Sequence, residues 1–279
     1  MSSFTKRLIS GVVLVIMALL LVGLGGWYLW ATALFLSLVG MFEMYRVFGI
    51  HNRVPGYIGY VTVLAYYIVT AVCGRPDENM YGFSVYIFGF LMMMSFYVFS
   101  FPRYKTDDIF RALTVMVYPG MLLACLYFLR MIEGGDYLVW LIFLSSWGND
   151  TCAYCVGILC KKFMKTHPMT PHLSPKKTVE GLIGGLAGAT ILGMIYGAVM
   201  SEQLQIFKLP PVISCAILCF AGAVLSVVGD LAASAVKRDH DIKDYGNLIP
   251  GHGGVMDRFD SMTYSAPVLY FISLLLLAS

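Results

Sequence analysis

The sequence predicts an all-α, polytopic integral membrane protein with about nine transmembrane helices. Of its 279 residues, 59% are hydrophobic and only 13% are charged. A soluble domain of this size carries about twice that charged fraction. The formal net charge of +3 is small, so the composition gives no indication of a nucleic-acid partner. What remains informative is where the charges lie along the chain.

Nine apolar runs approach the length of about 20 residues that a helix needs to cross a bilayer. They are Leu8–Leu24, Trp27–Met44, Tyr57–Cys73, Tyr81–Phe101, Phe110–Arg130, Tyr137–Gly157, Val179–Met200, Pro211–Val236 and Ser261–Ala278. Gly25 and Gly26 suit a tight turn between the first two runs. The first run is expected to be a retained helix and not a cleaved signal, because more apolar sequence follows it directly.

Length and the lack of a linker predict one transmembrane domain over residues 1–279. Within it, residues 1–130 are expected to form a scaffold and residues 137–279 to carry the functional motifs. Small residues spaced four apart in Gly181/Gly185 and Gly184/Gly188 predict close helix packing in lipid. The cysteine count of seven is odd, which argues against a disulfide framework.

The basic residues predict the orientation in the membrane. With the N-terminus in the cytoplasm, sixteen lysines and arginines fall on the cytoplasmic side and three on the opposite side, which accounts for all 19. Such a bias follows the positive-inside rule. It places two polar loops, Lys161–Thr178 and Lys237–Asp260, on the cytoplasmic face. The short chain without a transit peptide is expected in a bacterial plasma membrane.

Polar residues collect at the C-terminal end of the eighth run. Asp230, Ser234, Lys237 and Arg238 have helical spacing i, i+4, i+7 and i+8, so they share one helix face. An acid inside the hydrocarbon boundary costs a few kcal/mol on insertion scales and is a functional candidate. The alternative is that Asp230 forms a structural ion pair with Lys237 or Arg238.

The following loop combines charge with glycine. Lys243 and Asp244 precede a turn that contains His252, Gly253 and Gly254. Paired glycines let backbone N–H groups approach an anion, as in a phosphate nest, and His252 could donate to a phosphate oxygen. The alternative is an ordinary turn, because Pro-Gly and Gly-Gly form turns readily.

Acidic residues open the ninth run. Asp257 is expected to converge on Asp230, because two carboxylates together with substrate phosphates make the usual magnesium site. Arg258 lies between Asp257 and Asp260. The alternative role for these acids, and for Asp260 in particular, is to cap the start of a helix.

Two further candidates lie upstream. Asp150 stands within the apolar sixth run, where an acid is a functional candidate, although it could instead pair with Lys176 or Lys177. Lys176 and Lys177 are flanked by hydroxyl residues, a pattern that suits a phosphate group. The alternative for these lysines is topology alone.

The polar segment resembles the signature of the phosphatidate cytidylyltransferases, or CDP-diacylglycerol synthases. The matching residues read Ser234-x-x-Lys237-Arg238, then Lys243-Asp244-x-Gly246-x-x-Ile249-Pro250-x-His252-Gly253-Gly254-Val255-x-Asp257-Arg258-Phe259-Asp260. The resemblance extends to Ser174–Gly181 and to Asn149–Tyr154. Val179 departs from it, because the family often has Trp there, which concerns packing more than chemistry.

The resemblance implies a reaction between CTP and phosphatidate that gives CDP-diacylglycerol and diphosphate in phospholipid biosynthesis. It implies a divalent cation, normally Mg²⁺, held by a paired metal centre that carries over to Asp230 and Asp257. Similar family members also bind K⁺ nearby, and the family suggests a homodimer in contact with membrane lipids.

Chemistry assigns expected roles to the remaining candidates. The lipid phosphate is its own nucleophile, so the chain needs cations and no general base. Residues expected to neutralise phosphates are Lys237, Arg238, Lys243 and Arg258. Residues expected to orient or bind substrate are Ser234, His252, Gly253, Gly254, Lys176, Lys177, Asp260, Asp150 and Asp244, the last two by positioning the cations.

Two alternative functions remain open from the sequence. A CTP-dependent polyprenol or lipid kinase would transfer the γ-phosphoryl group and release CDP. A polytopic transporter would use the intramembrane acids without consuming CTP. The dense polar loop lies at one end of the spans and not at mid-membrane, which argues against the transporter.

Overall fold

The computed structural model describes residues 3–73, 80–163, 165–171, 173–249, 251 and 253–277, with the backbone alone for residues 3–10 and 14. Seven of its helical segments are long and apolar enough to cross a membrane, namely Gly26–Val47, Val54–Cys73, Tyr81–Ser100, Thr106–Met131, Val179–Val199, Pro211–Asp239 and Met256–Leu276. The predicted all-α, polytopic membrane protein is confirmed. The count of nine spans and the cytoplasmic N-terminus stay predictions.

The chain divides into two compact units. The first unit comprises Met1–Phe128 and Asp244–Arg258, and the second comprises Leu129–Lys243 and Phe259–Ser279. Each unit therefore consists of one long segment and one shorter segment from later in the chain. The polar loop predicted to carry chemistry is split between them.

The first unit is built from long helices. In chain order these are α1 (Ser3–Leu24), α2 (Gly26–Val47), α3 (Val54–Cys73), α4 (Tyr81–Ser100), α5 (Thr106–Val115), the π-helix π1 (Met116–Met121) and the beginning of α6 (Ala124–Met131). Gly25 and Gly26 have positive φ values of 61° and 49°, so the predicted tight turn between α1 and α2 is confirmed. π1 contains Pro119, which lacks the N–H of a regular helix.

Buried tyrosines tie the helices of the first unit together. The Tyr67 hydroxyl lies 2.7 Å from Ser37 Oγ, and Tyr45 donates to the Ala112 carbonyl at 3.1 Å. Tyr86 donates to the Met116 carbonyl at 3.2 Å. Each ring fills the core while its hydroxyl keeps a partner, which is the usual requirement for a buried tyrosine.

The second unit begins with a broken helical region. It contains the end of α6, then α7 (Gly135–Leu138), α8 (Trp140–Phe143), the π-helix π2 (Leu144–Gly148) and α9 (Asn149–Phe163). The predicted sixth span, Tyr137–Gly157, is therefore not one regular helix. Ser146 bonds back to the Ile142 carbonyl at 2.8 Å within this region, which competes with the backbone ladder.

Two short strands follow where the sequence suggested only a loop. β1 (Pro168–Thr170) pairs antiparallel with β2 (Ser174–Thr178). Thr178 then caps α10 (Val179–Val199) by accepting the Gly181 N–H at 3.1 Å. His167 closes the base of this hairpin through its ring Nδ1, 2.7 Å from Glu180 Oε1.

Glycines let α10 pack closely on both of its neighbours, α9 and α11 (Pro211–Asp239). A Cβ added at Gly184 would lie 2.5 Å from Val156, and one at Gly188 would lie 2.5 Å from Cys152. A Cβ at Gly193 would lie 2.6 Å from the Cys215 carbonyl of α11. The predicted packing role of the α10 glycines is confirmed. The last helix is α12 (Met256–Leu276).

Candidate active site

The second unit brings opposite charges together where α11 nears its C-terminal end. The Lys177 ammonium, at the end of β2, donates to Asp230 Oδ2. Both side chains are partly exposed. The sequence suggested Lys237 or Arg238 as the alternative partner of Asp230, and it did not suggest Lys177, which is 53 residues away.

Asp260 joins this cluster from α12. Its side chain is only 6% exposed, and it interacts electrostatically with Asp230, Lys237 and Asp150. Gly229 allows the close approach, because a Cβ there would lie 2.7 Å from the Asp260 carbonyl. α12 already begins at Met256, so the alternative of Asp260 as a helix cap is wrong. We call Asp150, Lys177, Asp230, Lys237 and Asp260 the charge cluster.

A cavity of about 590 Å³ lies beside the charge cluster. This size is within the usual range of ligand pockets, about 300–1,000 Å³. Its polar lining comes from Asn149, Asp150, Lys161, Lys176, Lys177 and Asp230, and its apolar lining includes Tyr154, Ile158, Leu182 and Val227. The cavity lining therefore combines lysines that suit an anionic group with apolar side chains that suit hydrocarbon.

Asn149 is a residue to which the sequence analysis assigned no role. It is 1% exposed and lines the cavity. Neither Nδ2 nor Oδ1 of its carboxamide has a hydrogen-bond partner among the described residues. Buried polar groups are normally paired, and exceptions need an explanation. Its Oδ1 faces α10, where a Cβ at Gly185 would lie 2.6 Å from it, and Asn149 is a candidate contact for a ligand in the cavity. An amide inside an apolar run was the signal available in the sequence.

The charge cluster fits a magnesium ion in its donor chemistry. Carboxylate oxygens are the preferred ligands of Mg²⁺, which usually takes one or two carboxylates and completes its shell with water and phosphate. Asp230 already accepts a cation in the form of the Lys177 ammonium. No group of three or more acidic, histidine or cysteine residues in the described part of the chain forms a closed metal site. Water and phosphate groups would supply the remaining ligands of such an ion.

Comparison with known proteins decides the family. A sequence model of the cytidylyltransferase family matches residues 5–276. The chain belongs to this family. It is 30% identical over 276 residues to the phosphatidate cytidylyltransferase of Bacillus subtilis (strain 168), covering 98% of each chain. It is 30% identical over 304 residues to that of Synechocystis sp., covering 98% of this chain and 97% of the relative.

A third relative matches over a shorter length but with a higher sequence identity. The phosphatidate cytidylyltransferase of Thermotoga maritima is 38% identical over 135 residues, or 47% of each chain. The family predicted from the signature is confirmed by these comparisons.

The family signature continues into the first unit as the segment Asp244–Arg258, which we call the signature loop. Asp257 Oδ2 accepts the Tyr245 N–H at 2.8 Å and the Gly254 N–H at 2.9 Å. Gly253 has a φ of 88°, a left-handed conformation that favours glycine. Since the Gly254 N–H already has an acceptor, a phosphate would have to displace Asp257 to use it.

Glu43 of α2 is a second residue that sequence reasoning missed. It is 2% exposed and accepts the N–H groups of Val255 and Met256 in the signature loop. The rule that drew attention to Asp150 and Asp230, an acid within an apolar span, applies equally to Glu43. The rule was applied only to the C-terminal half.

The other predicted site residues differ in their exposure. Ser234 and Lys237 are half-buried on α11, and the exposed residues are Arg238, Lys243, Asp244 and Arg258. His252 lies outside the described residues. Asp230 and Asp257 belong to different units, so their predicted convergence stays a prediction.

Proposed function

We propose that the chain transfers a cytidylyl group from CTP to phosphatidate, giving CDP-diacylglycerol and diphosphate. The family match and the names of the relatives support this activity. The observation that carries it in the structure is the pairing of Lys177 with Asp230 beside a cavity lined by both charged and apolar side chains.

The reaction needs positioning and charge more than acid–base chemistry. The second ionisation of a phosphate monoester has a pKa of about 6, so the lipid phosphate is largely dianionic at neutral pH. One of its oxygens attacks the α-phosphorus of CTP. A new P–O bond forms, the bond between the α-phosphorus and the bridging oxygen breaks, and diphosphate leaves with that electron pair.

The residues around the cavity support this step by holding anions together. Lys176 and Lys177 are proposed to bind the lipid phosphate or the departing diphosphate. Lys161 also lines the cavity and is proposed to add positive charge there. Lysine acts on phosphate as a point charge. The apolar lining is proposed to face the glycerol and the first carbons of the acyl chains.

Magnesium is the proposed cofactor, and when bound it supplies positive charge that neutralises and aligns the phosphates. Asp230, with Asp260 beside it, is the proposed ligand in the second unit. Asp257 remains a proposed ligand in the first unit, and its Oδ2 is already shared with two backbone N–H groups. A nearby K⁺ ion stays part of the proposal.

The proposed location is the bacterial inner membrane, with the N-terminus and the site on the cytoplasmic side, where CTP is made. This orientation rests on the positive-inside count of the sequence. Lipid is proposed to reach the cavity from the cytoplasmic leaflet. A homodimer is also proposed, on family resemblance alone.

The position of a radioactive label tests the activity against the lipid-kinase alternative. Purified protein with Mg²⁺ and a mixture of phosphatidate, diacylglycerol and a polyprenol receives CTP labelled at either the α- or the γ-phosphorus. Cytidylyl transfer puts the α label in the lipid phase and the γ label in diphosphate. A γ label in lipid would identify a kinase, and no labelled lipid with active, folded protein would overturn both.

A further inference from the structure

Glu43 connects the N-terminal helices to the family signature. Its Oε1 accepts the Val255 N–H at 3.0 Å and its Oε2 accepts the Met256 N–H at 2.9 Å. The partners are separated by 212 and 213 residues in sequence. Both carboxylate oxygens are thus committed to one short stretch of backbone, all within the first unit.

The contact acts as a helix cap supplied from a distance. α12 begins at Met256, and the first N–H groups of a helix have no acceptor inside it. The residue before it is Val255, which has no side-chain oxygen that could cap locally. A carboxylate at this end also interacts favourably with the helix dipole. Glu43 therefore supplies the hydrogen-bond acceptors that the residues next to the start of α12 do not provide.

One face of α2 is shaped for this loop. Gly40, Glu43 and Arg46 are spaced three apart, so they are neighbours along the helix. Arg46 Nη2 donates to the Tyr245 carbonyl at 2.6 Å, and a Cβ at Gly40 would lie 2.9 Å from Met256 Sδ. The α2 face thus contacts the signature loop near both of its ends.

Two glycines of the signature loop are fitted to the Glu43 carboxylate. A Cβ at Gly246 or at Gly254 would lie 2.3 Å from Glu43 Oε1. Any side chain at either position would therefore push the carboxylate away from Val255 and Met256. The glycines make room for Glu43, and this requirement is separate from any contact with phosphate.

We propose that Glu43 is a positioning residue for the cytidylyl transfer. By fixing Val255 and Met256 it sets the position of the next residues, Asp257 and Arg258, which the proposed function assigns to metal and phosphate. The inference rests on that proposed function. An error of about 1 Å in the placement of a catalytic group can cost about 100-fold in rate, so a rigid anchor for this loop has a direct catalytic effect.

The test is Glu43→Gln in the purified full-length protein. The amide has the same shape but only one acceptor oxygen, so one backbone N–H loses its partner. We expect kcat to fall by about 10- to 100-fold, because an error of about 1 Å in the placement of a catalytic group can cost about 100-fold. KM for CTP should change little. Hydrogen exchange of the Val255 and Met256 amides should become faster, with or without Mg²⁺.

Ser37→Ala is the matched control. Ser37 is fully buried on the same helix and loses a hydrogen bond of 2.7 Å to Tyr67, away from the signature loop. It should lower thermal stability while leaving kcat and the Val255 exchange rate of the folded protein unchanged. Faster exchange in Glu43→Gln with an unchanged kcat would overturn the proposal. The proposal would also be overturned if kcat fell equally in both variants and in proportion to the fraction of protein that is folded.

If Glu43→Gln does not fold, Arg46→Met carries the test, because Arg46 is exposed and anchors the same loop. We expect a kcat loss of about 10-fold, the scale of one hydrogen bond, and a wild-type kcat would overturn the proposal. Failure of the proposed function is seen differently: the wild-type protein would then give no labelled lipid, whereas the exchange rates would still report the anchor.

Discussion

The cavity of the second unit and the signature loop of the first unit use polar groups in opposite ways. In the cavity, Asn149 has no partner among the described residues and Lys177 and Asp230 have only moderate burial. In the first unit, the carboxylates of Glu43 on α2 and Asp257 in the signature loop are buried and bonded to backbone N–H groups of that loop. The polar groups of the cavity are arranged to contact a ligand, whereas the buried carboxylates of the first unit hold the backbone of the signature loop in place. The family signature in the sequence therefore contains residues of two kinds.

The strongest test of this difference is Asp230→Asn in the cavity. The amide loses the charge that attracts Lys177 and would hold magnesium, so activity should fall by about 1,000-fold, the upper range for one electrostatic group. Thermal stability should change little because the side chain is partly exposed. Initial rates with labelled CTP provide the measurement. Asp239→Asn, an exposed acid on the same helix, is the control, and equal rates in the two variants would refute the role.

Asp257→Asn separates structure from charge in the signature loop. The asparagine oxygen can still accept the Tyr245 and Gly254 N–H groups, so amide exchange in the loop should stay slow. If Asp257 is a metal ligand, turnover should nevertheless fall by about 100-fold, because loss of an electrostatic group costs about that much. Turnover and exchange are measured together, with exposed Asp107→Asn as the control. Near-normal turnover would leave Asp257 with only its structural bonds.

Lys177→Met removes the cation that faces Asp230. We expect kcat/KM to fall by about 30-fold, within the range of a lost charged hydrogen bond. Lys177→Arg should recover part of the activity because it keeps the charge. Steady-state kinetics at varied phosphatidate would measure both variants. As a control, Lys162→Met removes an exposed lysine that does not line the cavity. A similar loss of kcat/KM in this variant would mean that the effect is not specific to Lys177.

Asn149→Ala is the smallest of these changes. It removes a buried amide that lacks a partner, so the folded protein should keep or gain stability. If the amide binds substrate, KM should rise by about 10-fold, the scale of one hydrogen bond. Thermal melts and kinetics measure the two effects. Ser146→Ala removes a buried hydroxyl already bonded to Ile142, and it should show the reverse pattern. A destabilised Asn149→Ala with normal KM would contradict the interpretation.

Periodicity and composition were enough to predict most of the membrane helices, because an apolar run of about 20 residues has few other stable forms in lipid. The family followed from a long run of fixed residues between Ser234 and Asp260. Gly184 and Gly188 were correctly assigned to packing, since small residues four apart are sufficient for close helix contact.

Long-range pairing was beyond the sequence. Lys177 and Asp230 are separated by 53 residues, and Glu43 and Val255 by 212. Nothing local distinguishes a lysine that faces an acid from one that follows membrane topology. The irregular π2 segment was also hidden, because Leu144–Gly148 has the same apolar character as a regular span. Asn149 and Asp150 directly follow this segment, and π-helical turns often occur at functional sites.

The Lys177–Asp230 pair has a consequence for how nucleotide affinity is set. An isolated ammonium or carboxylate at the edge of a bilayer is costly, and each of these groups offsets the charge of the other. Any phosphate that reaches Lys177 must compete with a tethered carboxylate, and any metal that reaches Asp230 must compete with a tethered ammonium. If the proposed magnesium site is correct, nucleotide and metal that arrive as one complex would release both partners together, which would favour the Mg²⁺–CTP complex over either component alone.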